Sequence, residues 1–372
     1  MSDVPLDPTG VAGAPHPRAT VQLIGQEKAE VKFLEAFTTG RLHHAWLLNG
    51  PRGVGKATLA WKIARFLLAT PDPDRDDMFG APLPTSLDIA TDHPVAKRVS
   101  ALAEPGLKFV HRTENEKTKR LRDQITIDDI RALSSFFHLS ATDGGRRVVI
   151  IDAADEMNPN AANALLKMLE EPPERTTLLL ICHQPSRLLP TIRSRCRMLR
   201  LQPLDAVPME QAMAQVGVHS GPDSAALAEL SAGSVGAALR LSLLDGLKIY
   251  AEVVALLGSL PNLDRARALA LAEAASQRGA EARLDLLYTL IDVALARLAR
   301  VGATGQAPKT QAAPNEAEIF LRLANTPARA RAWADVAQTA LARARHGRAV
   351  NLDAGALVLD TLFKLQETAL AQ

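Results

Sequence analysis

Residues 147–196 read RVVIIDAADEMNPNAANALLKMLEEPPERTTLLLICHQPSRLLPTIRSRC. Val148 to Ile151 is an apolar, β-branched run, the pattern of a strand buried on both faces of a parallel sheet. Asp152 follows at its carboxyl end, where open α/β sheets collect their ligands. Asn158 is placed to cap the next helix, with Pro159 at the first helical position. Ala162, Leu165, Leu166 and Leu169 then fall on one helical face. Pro172-Pro173 stops that helix. Leu178 to Cys182 predicts a second buried strand, and Ser194-Arg195-Cys196 closes the stretch.

A strand ending in aspartate reads as one half of a nucleotide site when a phosphate loop lies upstream. Gly50-Pro51-Arg52-Gly53-Val54-Gly55-Lys56, followed by Ala57-Thr58, is such a loop. Ala45 to Leu48 predicts the strand before it. Ala60, Ile63, Ala64, Leu67 and Leu68 predict one face of the helix after it. Strand, glycine loop and amphipathic helix in that order are the context the motif requires. Backbone N–H groups of the loop, backed by a helix N-terminus, cradle phosphates, and Lys56 reaches the terminal ones. An α/β domain with a parallel sheet is the fold these elements predict.

The totals narrow the class. At 372 residues the chain exceeds one ordinary domain. Its 47% hydrophobic and 23% charged residues are those of a soluble globular protein. A net charge of only +2 sets up no global basic field, so any DNA contact must come from a local patch or from partners. The two cysteines, Cys182 and Cys196, suit a reduced, cytoplasmic protein without a disulfide framework. No apolar run approaches the roughly 20 residues that span a bilayer, and no membrane contact is expected. The N-terminal 1–20 is Pro/Gly-rich, lacks an apolar signal core and is expected to be a disordered leader.

The phosphate loop, Asp152 and the runs NAANALLKMLEEPPE and LLPTIRSRC together resemble the AAA+ clamp-loader family. The resemblance covers about 23–244 well and the remainder in outline. It implies an AAA+ P-loop domain over 21–202 with an irregular insertion at about 71–123. A small helical lid over 203–244 and an all-α collar over 245–372, broken near Gly302 to Pro314, complete the implied layout. Leu23-Ile24-Gly25-Gln26-Glu27 reads either as the family's segment near the adenine base or as an ordinary loop before a helix. Many relatives carry a four-cysteine zinc module in the insertion. This chain has no cysteine there, so no zinc is expected. Asp72, Asp74, Asp76 and Asp77 lack a cation-loop pattern and read as a solvated turn. Lys117, Lys119, Arg120 and Arg122 form a small basic cluster, a solvated loop or a phosphate contact. His43-His44 has no further metal ligands at useful spacing.

Within that family, ATP hydrolysis needs several parts together, since phosphoryl transfer rests on positioning and charge stabilisation. Four depart from the active pattern here. Ala57 stands where Ser or Thr ligates Mg²⁺. Ala153 stands where Glu polarises the attacking water, and Asp155 and Glu156 lie too far along to replace it. The strand that should end in Thr or Asn runs into Cys182-His183-Gln184. Gly236 takes the place of a lid arginine. The resemblance therefore implies a silent ATP site. Gly50, Pro51, Arg52, Gly53, Val54, Gly55, Lys56, Ala57, Thr58 and Asp152 would hold ATP or ADP weakly at most, with no cofactor required and no metal.

Arg195 is the catalytic part that remains. In clamp loaders the Ser-Arg-Cys arginine reaches across a subunit interface as a finger onto the neighbour's ATP. The competing reading is a structural arginine paired with Glu170 or Glu171. The resemblance implies a ring partner beside a gamma/tau ATPase subunit and a delta subunit. Such a ring loads a sliding clamp at primer–template DNA. An active AAA+ ATPase, gamma/tau-like or otherwise DNA-associated, is the alternative, and Ala57, Ala153 and Gly236 speak against it.

Overall fold

β-branched and leucine-rich runs that alternate with helical patterns build a parallel sheet because each strand needs cover on both faces. The computed structural model describes residues 10, 13–71, 82–115, 121–138 and 145–371. It divides into two compact units. The first runs to Leu204 and includes Ser234–Gly236; the second comprises Asp205–Gly233 and Ala237–Gln372.

The first unit contains α1 (Glu27–Thr38), β1 (Ala45–Asn49), α2 (Lys56–Ala69), α3 (Pro94–Ser100), β2 (Leu107–His111) and α4 (Ile127–His138). It continues with β3 (Arg147–Asp152), α5 (Pro159–Glu170), β4 (Thr176–Cys182), α6 (Pro190–Ser194) and β5 (Arg197–Arg200). The sheet order is β2-β3-β4-β1-β5, and every pairing is parallel. Ala45 lies opposite Leu178 and Val148 opposite Thr177, so the three central strands are in step.

Alternation along the strands feeds two cores. Trp46, Leu48, Val148, Ile150, Leu179 and Ile181 pack with Phe33 and Phe37 of α1 and Ile63 of α2. Leu47, Val149, Ile151, Leu178 and Leu180 point the other way, onto Ile130 and Leu133 of α4 and Leu165 and Leu169 of α5. The expected faces hold, except that Leu68 and Leu166 are only half-buried at the edges of their stripes. Asn158 caps α5 as predicted, its Oδ1 accepting from Ala161 N–H at 2.8 Å.

Several expectations need adjustment. β4 starts two residues early, at Thr176. The insertion is not irregular throughout. His93 caps α3 by accepting from Val95 N–H at 3.2 Å, and β2, over the Leu107–His111 that the sequence reads as a short strand, is an edge strand of the main sheet. The leader is ordered over part of its length. Arg65, in the buried face of α2, donates to Arg18 O at 2.8 Å and Thr20 O at 2.9 Å, and these bonds tie residues 18–20 to the helix. Asp72, Asp74, Asp76 and Asp77, and Lys117, Lys119 and Arg120 of the basic cluster, lie outside the described residues.

The second unit is helical: α7 (Ala206–Gln215), α8 (Ser224–Leu230), α9 (Val235–Leu243, its first turn grouped with the first unit), α10 (Gly246–Ser259), α11 (Arg265–Ser276), α12 (Glu281–Thr304), α13 (Glu316–Leu323), α14 (Pro327–Ala349) and α15 (Ala354–Leu370). Its core contains a buried charged network. Arg297 bonds Glu316 Oε1 at 2.7 Å, the Glu229 carboxylate, and Thr310 O at 2.6 Å. Tyr250 donates to the same Glu316 oxygen at 2.6 Å, and Ala312 N–H to the other at 2.6 Å. Glu316 is fully buried, and these partners satisfy both of its oxygens. No described helix is long and apolar enough to cross a membrane.

Candidate functional site

The phosphate loop leaves β1 at Asn49 and enters α2 at Lys56. Gly53 (φ 74°) and Gly55 (φ 98°) take left-handed conformations that residues with a Cβ adopt only at a cost. At Gly55 a Cβ would also meet Leu23 Cδ1 at 2.6 Å, so the 23–27 segment packs directly on the loop. Gln26, which is buried, anchors it there. Its Nε2 donates to Val54 O (3.2 Å) and Gln202 O (2.7 Å), and its Oε1 accepts from Gln202 N–H (3.0 Å). Sequence reasoning marks the segment but not Gln26 as the residue that fastens it.

Lys56 is almost fully buried, and its ammonium turns back on the loop. It donates to Gly50 O at 2.6 Å and Pro51 O at 2.5 Å. Burial lowers its pKa to about 8, against the opposing pull of Asp152 and Asp155. To reach a phosphate, Lys56 must exchange these two carbonyls for the ligand. Ala57 and Thr58 occupy the first turn of α2, half-buried.

Asp152 ends β3 as expected and lies close enough to Lys56 to act on its charge. Ala153 is buried and brings no polar group. The next two acids are in use elsewhere. Asp155 is buried and accepts from His183 N–H (3.0 Å) and Gln184 N–H (2.9 Å), which fixes the chain as it leaves β4. Glu156 takes Arg52 of the phosphate loop at 2.5 Å and Arg112 at 2.8 Å. Sequence reasoning misses these two roles; their only signal there is a pair of carboxylates one turn beyond the strand. His183 is held neutral, its pKa lowered to about 4 by burial and then by Lys56. Burial raises both thiols to about 12, so neither Cys182 nor Cys196 is a thiolate near neutrality. Among the described residues no group of three or more His, Cys, Asp or Glu could hold a metal ion.

Arg195 follows the last turn of α6 and is not at this site. Its guanidinium bonds Thr191 O at 3.1 Å and Glu170 Oε1 at 2.9 Å. Glu170 ends α5, which starts just beyond the carboxyl end of β3 and returns antiparallel to the strands. Twelve residues of helix carry it about 18 Å back towards the amino end of the sheet. The structure therefore brings Gly50–Thr58, Asp152, Asp155 and His183 together and places Arg195 at the other end of the sheet. The ion pair with Glu170, one of the two readings of this arginine, is formed.

The family described as "DNA polymerase III, delta subunit" matches residues 25–205. DNA polymerase III subunit delta' of Escherichia coli K12 is 34% identical over 272 residues, 72% of this chain and 74% of the relative. The chain belongs to the delta-prime family of DNA polymerase III subunits. Delta-prime of Pseudomonas aeruginosa is 38% identical over 205 residues, 55% of this chain and 56% of its own length. Against several of its delta-prime relatives the chain thus spans only about half of their length. DNA polymerase III subunit tau of E. coli K12 is also similar, at 30% identity over 76% of this chain and 41% of that protein. The family match over residues 25–205 covers the sheet, the phosphate loop and the Ser-Arg-Cys triplet.

Proposed function

We propose that this chain is the stator of a clamp loader: it binds nucleotide weakly or not at all, does not hydrolyse ATP, and supplies Arg195 to a neighbouring ATPase subunit. Its partners in this reading are a gamma/tau ATPase subunit and a delta subunit, with a sliding clamp and primer–template DNA engaged through the complex in the cytoplasm. The observation that carries the reading is the internal use of the site's charges. Lys56 is bonded to Gly50 and Pro51, Glu156 to Arg52 and Arg112, and Asp155 to the exit of β4. Meanwhile Ala57 and Ala153 offer no group to Mg²⁺ or to water.

Further support comes from Gly236, at the place the family resemblance gives to a lid arginine. Its N–H donates to Gly53 O at 3.3 Å, a backbone contact where the active pattern needs a cation. The position of Arg195 supports action in trans, because its own phosphate loop lies at the opposite end of the sheet. The test is steady-state ATP hydrolysis with Mg²⁺ and primed DNA, by the chain alone and after mixing with gamma/tau and delta subunits. The stator reading expects background turnover alone and a stoichiometric active complex after mixing. Robust turnover by the chain alone would make the gamma/tau-like ATPase reading the leading one.

A further inference from the structure

The second unit carries an apolar face that its own core leaves uncovered. Along α15, Ala356, Leu359, Phe363, Gln366 and Leu370 recur at alternating steps of three and four. That is the spacing of a helix seam that meets a second helix. The core uses a different side of α15, where Leu357, Val358, Thr361, Leu362 and Leu365 are buried. The stripe stays open, with Phe363 43% and Leu370 64% exposed. It runs for about 21 Å of helix.

A groove continues the stripe onto α11. It measures about 480 Å³, and its apolar lining includes Ala356 and Leu359 of α15 with Leu269 and Ala272 of α11. Leu269 is 52% exposed. The end of α11 comes close to α15 because Gly355 has no side chain; a Cβ there would meet Ser276 Oγ at 2.5 Å. Among the described lining residues the charged ones are both carboxylates, Glu273 and Asp353. Asp353 is fixed in place as the cap of α15, accepting from Ala356 N–H at 2.7 Å. Two further acids on α15 are already matched, Asp360 by Arg343 and Glu367 by Lys364, each at 2.7 Å. Open leucines and an acidic rim therefore lie side by side.

We infer that this face docks an amphipathic helix of another protein chain, one with apolar residues at heptad spacing and Lys or Arg beside them. The seam supplies the contact area, and the carboxylates select the sign of the flanking charges. A second copy of this chain is a poorer occupant, because its stripe brings the same carboxylates and like charges would meet. A nucleic acid strand or an anionic lipid surface meets the same repulsion. The face lies wholly within the second unit, and its use does not depend on ATP turnover.

The experiment uses the full chain. The probe is a fluorescently labelled synthetic helix of about three heptads, with Leu at the seam positions and Lys flanking them. A control peptide carries Glu in place of every Lys. Both are titrated by fluorescence anisotropy at constant ionic strength. The expected result is saturable binding of the basic peptide at about 100 µM or tighter, with the acidic peptide at least about tenfold weaker. Leu370→Gln and Phe363→Ser should each weaken the basic peptide by at least about threefold. Leu370 sits in the last turn of α15 and is the more exposed of the two, so its variant keeps the fold, which thermal melting checks. Glu273→Lys should narrow the preference between the two peptides. No saturable binding, equal affinity for both peptides, or full affinity in Leu370→Gln and Phe363→Ser overturns the inference. So does a dimer in sedimentation equilibrium that Phe363→Ser dissociates, since the face would then belong to a second copy.

Discussion

Arg195 and Glu170 form an ion pair of 2.9 Å across the junction between α6 and the end of α5. Both side chains are substantially exposed, at 37% and 50%. A pair this open to solvent contributes about 0–1 kcal/mol. It orients the arginine at the surface and is weak enough to break when a stronger anion arrives.

Arg195→Ala should therefore leave the isolated chain's unfolding transition within about 1 kcal/mol of the parent. In the assembled complex it should lower ATP turnover by orders of magnitude, since arginine fingers in other phosphoryl-transfer systems are worth about 10³- to 10⁵-fold. Glu170→Gln should leave that turnover intact, because it removes only the resting partner. Unchanged turnover in Arg195→Ala would sink the finger assignment.

Lys56 gives the first unit a stability that depends on pH. Its pKa is about 8 in the folded chain, against an ordinary lysine value of 10.5. Between those values the unfolded chain binds the extra proton, so stability rises with pH through the window from about 8 to 10.5. Below it the burial penalty is present in full. Denaturant titrations of the parent and of Lys56→Met, compared across this range, should show the parent gaining on the variant as pH rises. Parallel profiles would mean that Lys56 is solvated in solution.

Asp155→Asn should destabilise the first unit by about 1–3 kcal/mol. Its two oxygens accept from His183 and Gln184 N–H, and an amide offers only one acceptor to that pair of donors. The loss should appear as a lower urea midpoint without a change in slope. Asp155→Asn should also deepen the Lys56 shift, because one of the charges that raises its pKa is gone.

Glu316→Gln tests the second unit. Arg297, Tyr250 and Ala312 N–H all converge on this buried carboxylate. Breaking a buried ion pair on one side costs about 3–5 kcal/mol, because the remaining charge stays unmatched. Calorimetry should show the loss confined to one transition if the two units unfold separately.

The central strands are legible because a doubly covered parallel strand is a continuous apolar run, and little else in the sequence is. α3 is not, since it has only seven residues and too few apolar positions to set a period. Gly302 misleads for a different reason. The expected break near Gly302 to Pro314 is present between the end of α12 at Thr304 and the start of α13 at Glu316, and only its first edge is two residues early. A Cβ at Gly302 would meet Ala324 O at 2.7 Å and Ala330 Cβ at 2.8 Å, so the glycine marks a close approach rather than a stop. In the site, Lys56 and Asp152 are legible from motif spacing. Gln26, Asp155 and Glu156 are not, because their partners at Gln202, His183 and Arg52 are chosen by the fold and not by local pattern.

The engagement of Asp155 and Glu156 bears on how selection would treat them. Each is held in place by what it does for the chain's exit from β4 or for the phosphate loop, with or without a turnover event nearby. Lineages that never use ATP here would still retain both acids, because losing them costs folding. An acid found at either position in a relative would therefore record architecture and not chemistry.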